Sequence, residues 1–255
     1  MPGAYSALFR YAMKIIYEPR GKALEYAPLA VNLYAGCSHG CTYCFAPNVL
    51  HMDKEAFHSN ISIRKDALDL LKKDVDSLKG DTRRILLSFT TDPYQPFNDG
   101  QGVTRQAIEI IKNGGLNVEI LTKGGLRACQ DFDLLTPDDR FAVTLTFRNA
   151  EDSIKWEPNA ALPADRLQSL RLAHGEGLTT WASLEPVIDP VQTLELIETC
   201  APFIHLFKVG KLNYHKRARE IDWKAFGHDA VNLLEKLGSK YYIKNDLRKQ
   251  MEGNR

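Results

Sequence analysis

Six short apolar, β-rich runs recur along this chain with helix-like sequence between them, and that alternation constrains the fold more than any other feature. The runs are AVNLY (residues 30–34), ILLSF (85–89), VEILT (118–122), FAVTLTF (141–147), TTWASL (179–184) and IHLFKV (204–209). Each is apolar on both alternating faces, the pattern of strands covered on both sides in a parallel sheet. Their spacing, roughly 30 residues per step, is the length of a compact βαβ unit.

The intervening helices carry start and stop signals. Ile63, Ala67, Leu68, Leu71, Val75 and Leu78 share one side of a helix expected over residues 62–79 and stopped by Gly80. Thr104 is the expected cap of the next, which ends at Asn113-Gly114-Gly115, and Pro163 opens another that runs to about His174. Asp189-Pro190 reads as an N-cap followed by the proline favoured at the first helical position. Trp223, Phe226, Ala230, Leu233 and Leu237 repeat at three or four before Gly238.

Right-handed crossovers place all six strand C-termini on one rim, where barrel active sites collect. No linker rich in Pro, Gly or Ser interrupts the series. The expectation is therefore one α/β domain over residues 1–255: a partial (β/α)6 TIM-like barrel at 27–210, an N-terminal extension at 1–26, and a C-terminal helical segment with YYI at 211–255. A doubly wound sheet is the alternative.

Composition excludes more than it identifies. With 44% apolar and 25% charged residues, disorder and fibrous repeats are unattractive. No apolar run approaches the roughly 18 residues of a membrane helix, and the first residues lack a secretory signal, so a cytoplasmic location without membrane association is the default expectation. A net charge of +1 makes no global case for nucleic acid, though a local basic patch remains open.

Five cysteines, an odd number with three crowded into AGCSHGCTYCFAP, suit a metal or redox site better than disulfides. Cys37, Cys41 and Cys44 follow the first strand at C-x3-C-x2-C spacing. Structural zinc normally takes four protein ligands, and only His39, inside the loop, offers a fourth. An iron-sulfur cube on three thiolates leaves one iron open to a small molecule.

C-x3-C-x2-C with an aromatic residue, Tyr43, before the last cysteine resembles the signature of radical S-adenosylmethionine (SAM) enzymes. The blocks APLAVNLYAGCSHGCTYCFAP, SFTTDPYQP, LTKGGLRACQDFDLL and ASLEPVIDP are similar to the spore photoproduct lyase-like, or DNA repair photolyase-like, branch over residues 27–210. The resemblance implies a 4Fe-4S cluster on Cys37, Cys41 and Cys44, whose open iron chelates SAM. It further implies reductive cleavage of SAM to methionine and a 5′-deoxyadenosyl radical, and an external flavodoxin- or ferredoxin-like electron donor. Tyr43, Thr91, Lys123, Thr144 and Glu185 are then the expected SAM-positioning residues, and a nucleobase or nucleotide the expected substrate.

Plainer readings accompany several of these. The plainer alternative for Lys123 is a solvated lysine before a Gly-Gly turn, for Thr91 and Thr144 ordinary strand hydroxyls, and for Glu185 half of a rim salt bridge. Asp92 is explained by the turn TTDPYQP, where Tyr94 is available to stack on a flat base. Lys208, Lys211, Lys216, Arg217 and Arg219, with Tyr214 and His215, form a basic cluster expected at the rim, suited to phosphates or simply to a solvated helix start. Cys129 and Cys200 are too few for a second cubane cluster and read as free cysteines. Phe89 stands where the lyases carry a hydrogen-donating cysteine, which separates the expected cofactor from the expected substrate. Radical modification of a metabolite or peptide is the second enzymatic reading, and a zinc or electron-transfer module the non-enzymatic one.

Overall fold

Strand parity organises the molecule. In each parallel strand the residues of one parity, such as Ile85 and Leu87, Val118 and Ile120, Phe141 and Val143, or Phe207 and Val209, join the large apolar cluster under the helices. The other parity lines the barrel interior, which is mixed: Ala30 and Leu86 are apolar, whereas Glu119, Ser183 and Lys208 are buried polar residues.

The computed structural model describes residues 14–253, so the first half of the N-terminal extension lies outside the described residues. The strands are β1 (Ile16–Tyr17), β2 (Leu29–Val31), β3 (Tyr34–Ala35), β4 (Ser62–Ile63), β5 (Arg84–Leu87), β6 (Asn117–Thr122), β7 (Arg140–Thr144), β8 (Thr179–Leu184), β9 (Leu206–Val209) and β10 (Tyr241–Ile243). The helices are α1 (Ala46–Val49), α2 (Lys54–Ser59), α3 (Ala67–Ser77), α4 (Val103–Asn113), α5 (Ala150–Trp156), α6 (Pro163–Gly175), α7 (Pro190–Cys200), α8 (Trp223–Lys236) and α9 (Asn245–Glu252).

One eight-stranded sheet runs β1-β2-β5-β6-β7-β8-β9-β10. From β2 to β10 every ladder is parallel; only the edge strand β1 is antiparallel. The sheet curls enough for Lys208 of β9 to donate to the Glu25 and Tyr26 carbonyls just ahead of β2, near the opposite edge. Among the described residues no ladder joins β1 to β10, so the barrel is open, the partial α/β barrel that the alternation predicts. The lateral gap is spanned by the 3-10 turn Gly21–Glu25: Glu25 accepts from the Tyr242 hydroxyl and the Asn245 N–H, and Lys22 pairs with Asp246. No helix among the described residues is long and apolar enough to cross a membrane.

Several local expectations are corrected. The helix predicted over residues 62–79 begins at Ala67, because Ser62 and Ile63 pair with β3 and Asp66 adopts φ 54° before the helix. The first run splits into β2 and β3 for the same reason. The helix expected to be capped by Thr104 is capped at Gly102; Thr104 is buried and its hydroxyl donates to the Pro93 carbonyl. Asp189 does cap α7, accepting from the Val191 and Gln192 N–H groups. YYI is not an appendage but a strand, pairing with β9.

Candidate active site

Parity carries past the strand ends. Beyond β5, β6 and β8 the next inward positions are Ser88, Lys123 and Glu185, and β7 ends inward at Thr144; all four line one cavity of about 500 Å3 at the C-terminal rim. Cys37, Cys41, Tyr43, Cys44 and Thr91 line it too, so every residue expected from sequence to act on cluster or SAM meets there.

The cysteine loop is built around a close backbone approach. Gly36 has φ +80°, and a Cβ on it would lie 2.7 Å from the Phe57 carbonyl oxygen and 2.9 Å from that of Asn60, so only glycine lets the loop dock on α2. The Cys37 N–H then donates to the Phe57 carbonyl at 3.1 Å. Cys37 and Cys41 are buried and Cys44 half-buried. Burial pushes the Cys37 thiol well above its ordinary pKa, with the Asp92 charge adding to it, and pushes Cys41 to about 12 against the opposing pull of Lys123. Burial raises Cys44 likewise, against the Ala46 N–H and Lys123. Thiols this reluctant to ionise need a bound cation to become ligands, and loading one releases their protons.

His39 is already engaged. Its Nε2 lies 3.2 Å from the Asp92 carboxylate, without hydrogen-bond geometry, and its Nδ1 3.2 Å from the Asn159 carbonyl, so both ring nitrogens have oxygen neighbours. No three His, Cys, Asp or Glu side chains among the described residues converge closely enough to hold a single ion. Three sulfur donors beside a cavity fit an iron-sulfur cluster.

Asp92 does more than shape its turn. It accepts from Thr122 Oγ1 at 2.6 Å, the Lys123 N–H at 2.7 Å and the Tyr94 N–H at 2.9 Å. Burial alone would raise its carboxyl, but His39 and these donors outweigh that and hold it well below the usual carboxylate range. Asp92 thereby pins the backbone from which Lys123 projects. Lys123 Nζ lies 5.7 Å from the centroid of the Tyr43 ring. Burial works against the Lys123 charge, and Cys41 and Glu157 outweigh it, leaving its pKa raised.

The other expected residues have unequal freedom. Thr91 Oγ1 and Ser88 Oγ are buried without a hydrogen-bond partner among the described residues, on the cavity wall. Glu185 is committed: Oε2 accepts from the Tyr26 hydroxyl and from Lys244 Nζ. The absent side chain of Gly210 leaves room for it, since a Cβ there would sit 2.7 Å from the Glu185 carboxyl carbon. Tyr43 is half-buried, and its hydroxyl donates to Glu157 and lies 3.2 Å from Thr146 Oγ1.

Two expectations fail here. Tyr94 stacks on no ligand; it is fully buried, with its hydroxyl donating to Asp131. Lys208 is not on the rim but inside the barrel, donating to the Glu25 and Tyr26 carbonyls at 3.1 and 2.6 Å and lying 4.3 Å from the Trp181 ring centroid. Of the basic cluster, Lys211 and the exposed Tyr214 do line the cavity mouth, joined by Arg20 and Lys22 from the N-terminal turn. Phe89 packs between Tyr26 and Phe45, ring centroids 5.5 Å from each. Glu157, Arg166, Tyr26 and Lys244 belong to the site's support, and no motif announces them.

Comparison with known proteins agrees with the fold. A spore photoproduct lyase variant with bound AdoMet and dinucleoside spore photoproduct shares the fold at TM-score 0.68 and 16% identity, over 92% of this chain and 80% of that one. Streptococcus suis SuiB bound to S-adenosylmethionine matches at TM-score 0.61 and 11% identity, over 84% of this chain and 46% of that one. An uncharacterized protein of Methanocaldococcus jannaschii is 27% identical over 76% of this chain and 73% of its own length. One from Mycobacterium bovis is 26% identical over 67% of this chain, which spans about half (52%) of that protein. The family model described as the radical SAM superfamily matches residues 31–202, from the end of β2 through the cysteine loop to the end of α7, and the chain belongs to that superfamily.

Proposed function

We propose that Cys37, Cys41 and Cys44 hold a 4Fe-4S cluster with one open iron, that Tyr43, Thr91, Lys123, Thr144 and Glu185 position SAM against it, and that the substrate is a nucleobase or nucleotide. The observation that carries this reading is the convergence of all eight side chains on one cavity at the strand C-termini. When bound and reduced by an external flavodoxin- or ferredoxin-like donor, the cluster supplies the electron that cleaves SAM to methionine and a hydrogen-abstracting 5′-deoxyadenosyl radical.

The chain's own residues orient and shield. The Lys123 ammonium faces the cysteine end and suits the SAM carboxylate. The free Thr91 hydroxyl can donate or accept beside it, while Glu185, held by Tyr26 and Lys244, presents a fixed carboxylate on the opposite wall. Phe45, Phe89 and Tyr26 pack ring against ring on the cavity wall and give a reactive radical an apolar flank. Arg20 and Lys211 at the mouth, with Tyr214, are suited to phosphate and an unstacked base. Phe89 offers no thiol hydrogen, so the reading does not extend to spore photoproduct repair. The spread of the thiols speaks against a mononuclear zinc module.

Anaerobic reconstitution should give a brown protein with about four irons per chain that forms 5′-deoxyadenosine from SAM on reduction. Cys37→Ala should abolish both properties. A colourless protein that retains zinc refutes the reading. Binding of single-stranded oligonucleotide that weakens with salt supports the nucleotide substrate; no binding at low salt moves the substrate to a metabolite or peptide.

A further inference from the structure

Residues 156–161 run alongside the cysteine loop and grip it at four places, Ser38, His39, Thr42 and Tyr43. The Asn159 amide Nδ2 donates to the Ser38 carbonyl at 3.0 Å, and the Asn159 N–H donates to the His39 carbonyl at 3.1 Å. The Thr42 N–H donates to the Trp156 carbonyl at 2.8 Å, and the Tyr43 hydroxyl donates to Glu157. The same segment reaches the other side of the cavity. The Ala161 N–H donates to the Lys123 carbonyl at 2.9 Å, and Arg166 bridges the Ala161 and Thr144 carbonyls at 2.8 and 3.0 Å.

Glu157 is the hub. It is 1% exposed and takes Arg166 Nη2 at 2.6 Å and Thr146 Oγ1 at 3.0 Å in addition to Tyr43. A buried ion pair of this kind adds little stability over an apolar replacement, whereas its directional bonds select one geometry. The Tyr43 hydroxyl is spent entirely on Glu157 and Thr146, so the ring alone is what faces the cavity and Lys123. Resting on the reading of the cysteine loop given above, we infer that Glu157 is a positioning residue: through residues 156–161 it locks the three thiols and the Lys123 ammonium into one rigid unit, fixing the distance across which the SAM carboxylate is received.

Tyr43→Phe deletes only the hydroxyl and Glu157→Gln only the charge, which keeps the test open if one variant folds poorly. Backbone hydrogen exchange on the iron-free full chain should be about tenfold faster at residues 38–44 in both variants, with α8 unchanged. After reconstitution iron per chain should match the wild type, the KM for SAM should rise about tenfold, and the change that SAM induces in the electron paramagnetic resonance signal of the reduced cluster should be altered. Wild-type exchange at residues 38–44 overturns the inference, and so does faster exchange with an unchanged KM, which reduces Glu157 to a structural role. A wild-type chain that takes up no iron overturns the reading of the cysteine loop and, with it, the SAM-positioning role; the exchange result then decides only whether Glu157 makes that loop rigid.

Discussion

Asp92→Asn is the substitution whose cost the structure specifies most fully. The carboxylate takes three hydrogen bonds of 2.6–2.9 Å and faces His39 at 3.2 Å, all away from solvent. Asparagine offers one oxygen. Left at the Oδ1 position it keeps Thr122 and the Tyr94 N–H but turns an amide NH2 toward the Lys123 N–H, leaving that donor buried and unmatched. One charge-assisted bond lost and one donor orphaned amount to about 2–3 kcal/mol, and Asp92→Ala, which orphans every donor, to about 4 kcal/mol or more. The asparagine variant should therefore fold, and urea denaturation of the iron-free chain should show the loss as a lower midpoint at unchanged m. The gap should also depend on pH. A carboxyl whose folded pKa is depressed contributes stability above the unfolded value near 4 and loses it as pH falls toward the folded one. Wild type should thus approach the asparagine variant as pH drops from about 5 to 3. A cost below about 0.5 kcal/mol, or a gap constant over that range, refutes the assignment of Asp92 as the ionised anchor of Lys123.

Other perturbations test other supports. Lys244→Met strips the cation from Glu185 and should cost about 3 kcal/mol in denaturant unfolding, part of it recovered in the double variant with Glu185→Gln. Burial holds Lys208 down at about 8, against 10.5 for an ordinary lysine, so between those values the unfolded chain binds a proton that the folded chain does not. Stability should therefore rise from pH 8 to about 10 by about 2 kcal/mol relative to Lys208→Met, and parallel pH profiles would remove Lys208 from the barrel interior. Gly36→Ala drives a methyl group into two carbonyls at a positive φ; it should cost about 2 kcal/mol or more and sharply lower iron uptake in reconstitution.

The strands were legible because burial on both faces makes a parallel strand predominantly apolar along its whole length, a signal that needs no partner to be read. Helix starts were less so. Ile63 keeps phase with the apolar side of α3, yet it pairs with Tyr34 in β3, and sequence periodicity has no means of seeing a partner nearly thirty residues upstream. Lys208 shows a subtler limit. Its neighbours Phe207 and Val209 face the helices, so parity turns Lys208 inward, and had the same alternation been followed along β9 the rim assignment would have been excluded.

The site divides along the same line between local and remote. Cys37, Cys41 and Cys44 are legible because one loop must present all three thiols, which forces them into eight residues of sequence. Their geometry is set elsewhere: Tyr43 is anchored 114 residues downstream at Glu157, and Glu185 is anchored 59 residues downstream at Lys244. Neither Glu157 nor Lys244 sits in a motif, because a buried charge is recruited by whatever partners the fold brings to it, and any segment that packs there can supply it. A loop of buried thiols has little means of holding its own shape, since its backbone is irregular and its side chains are reserved for a ligand. Its rigidity has to come from elements packed against it, here α2 and the α5–α6 connection, and it is at those remote contacts that single substitutions should separate cluster binding from cluster use.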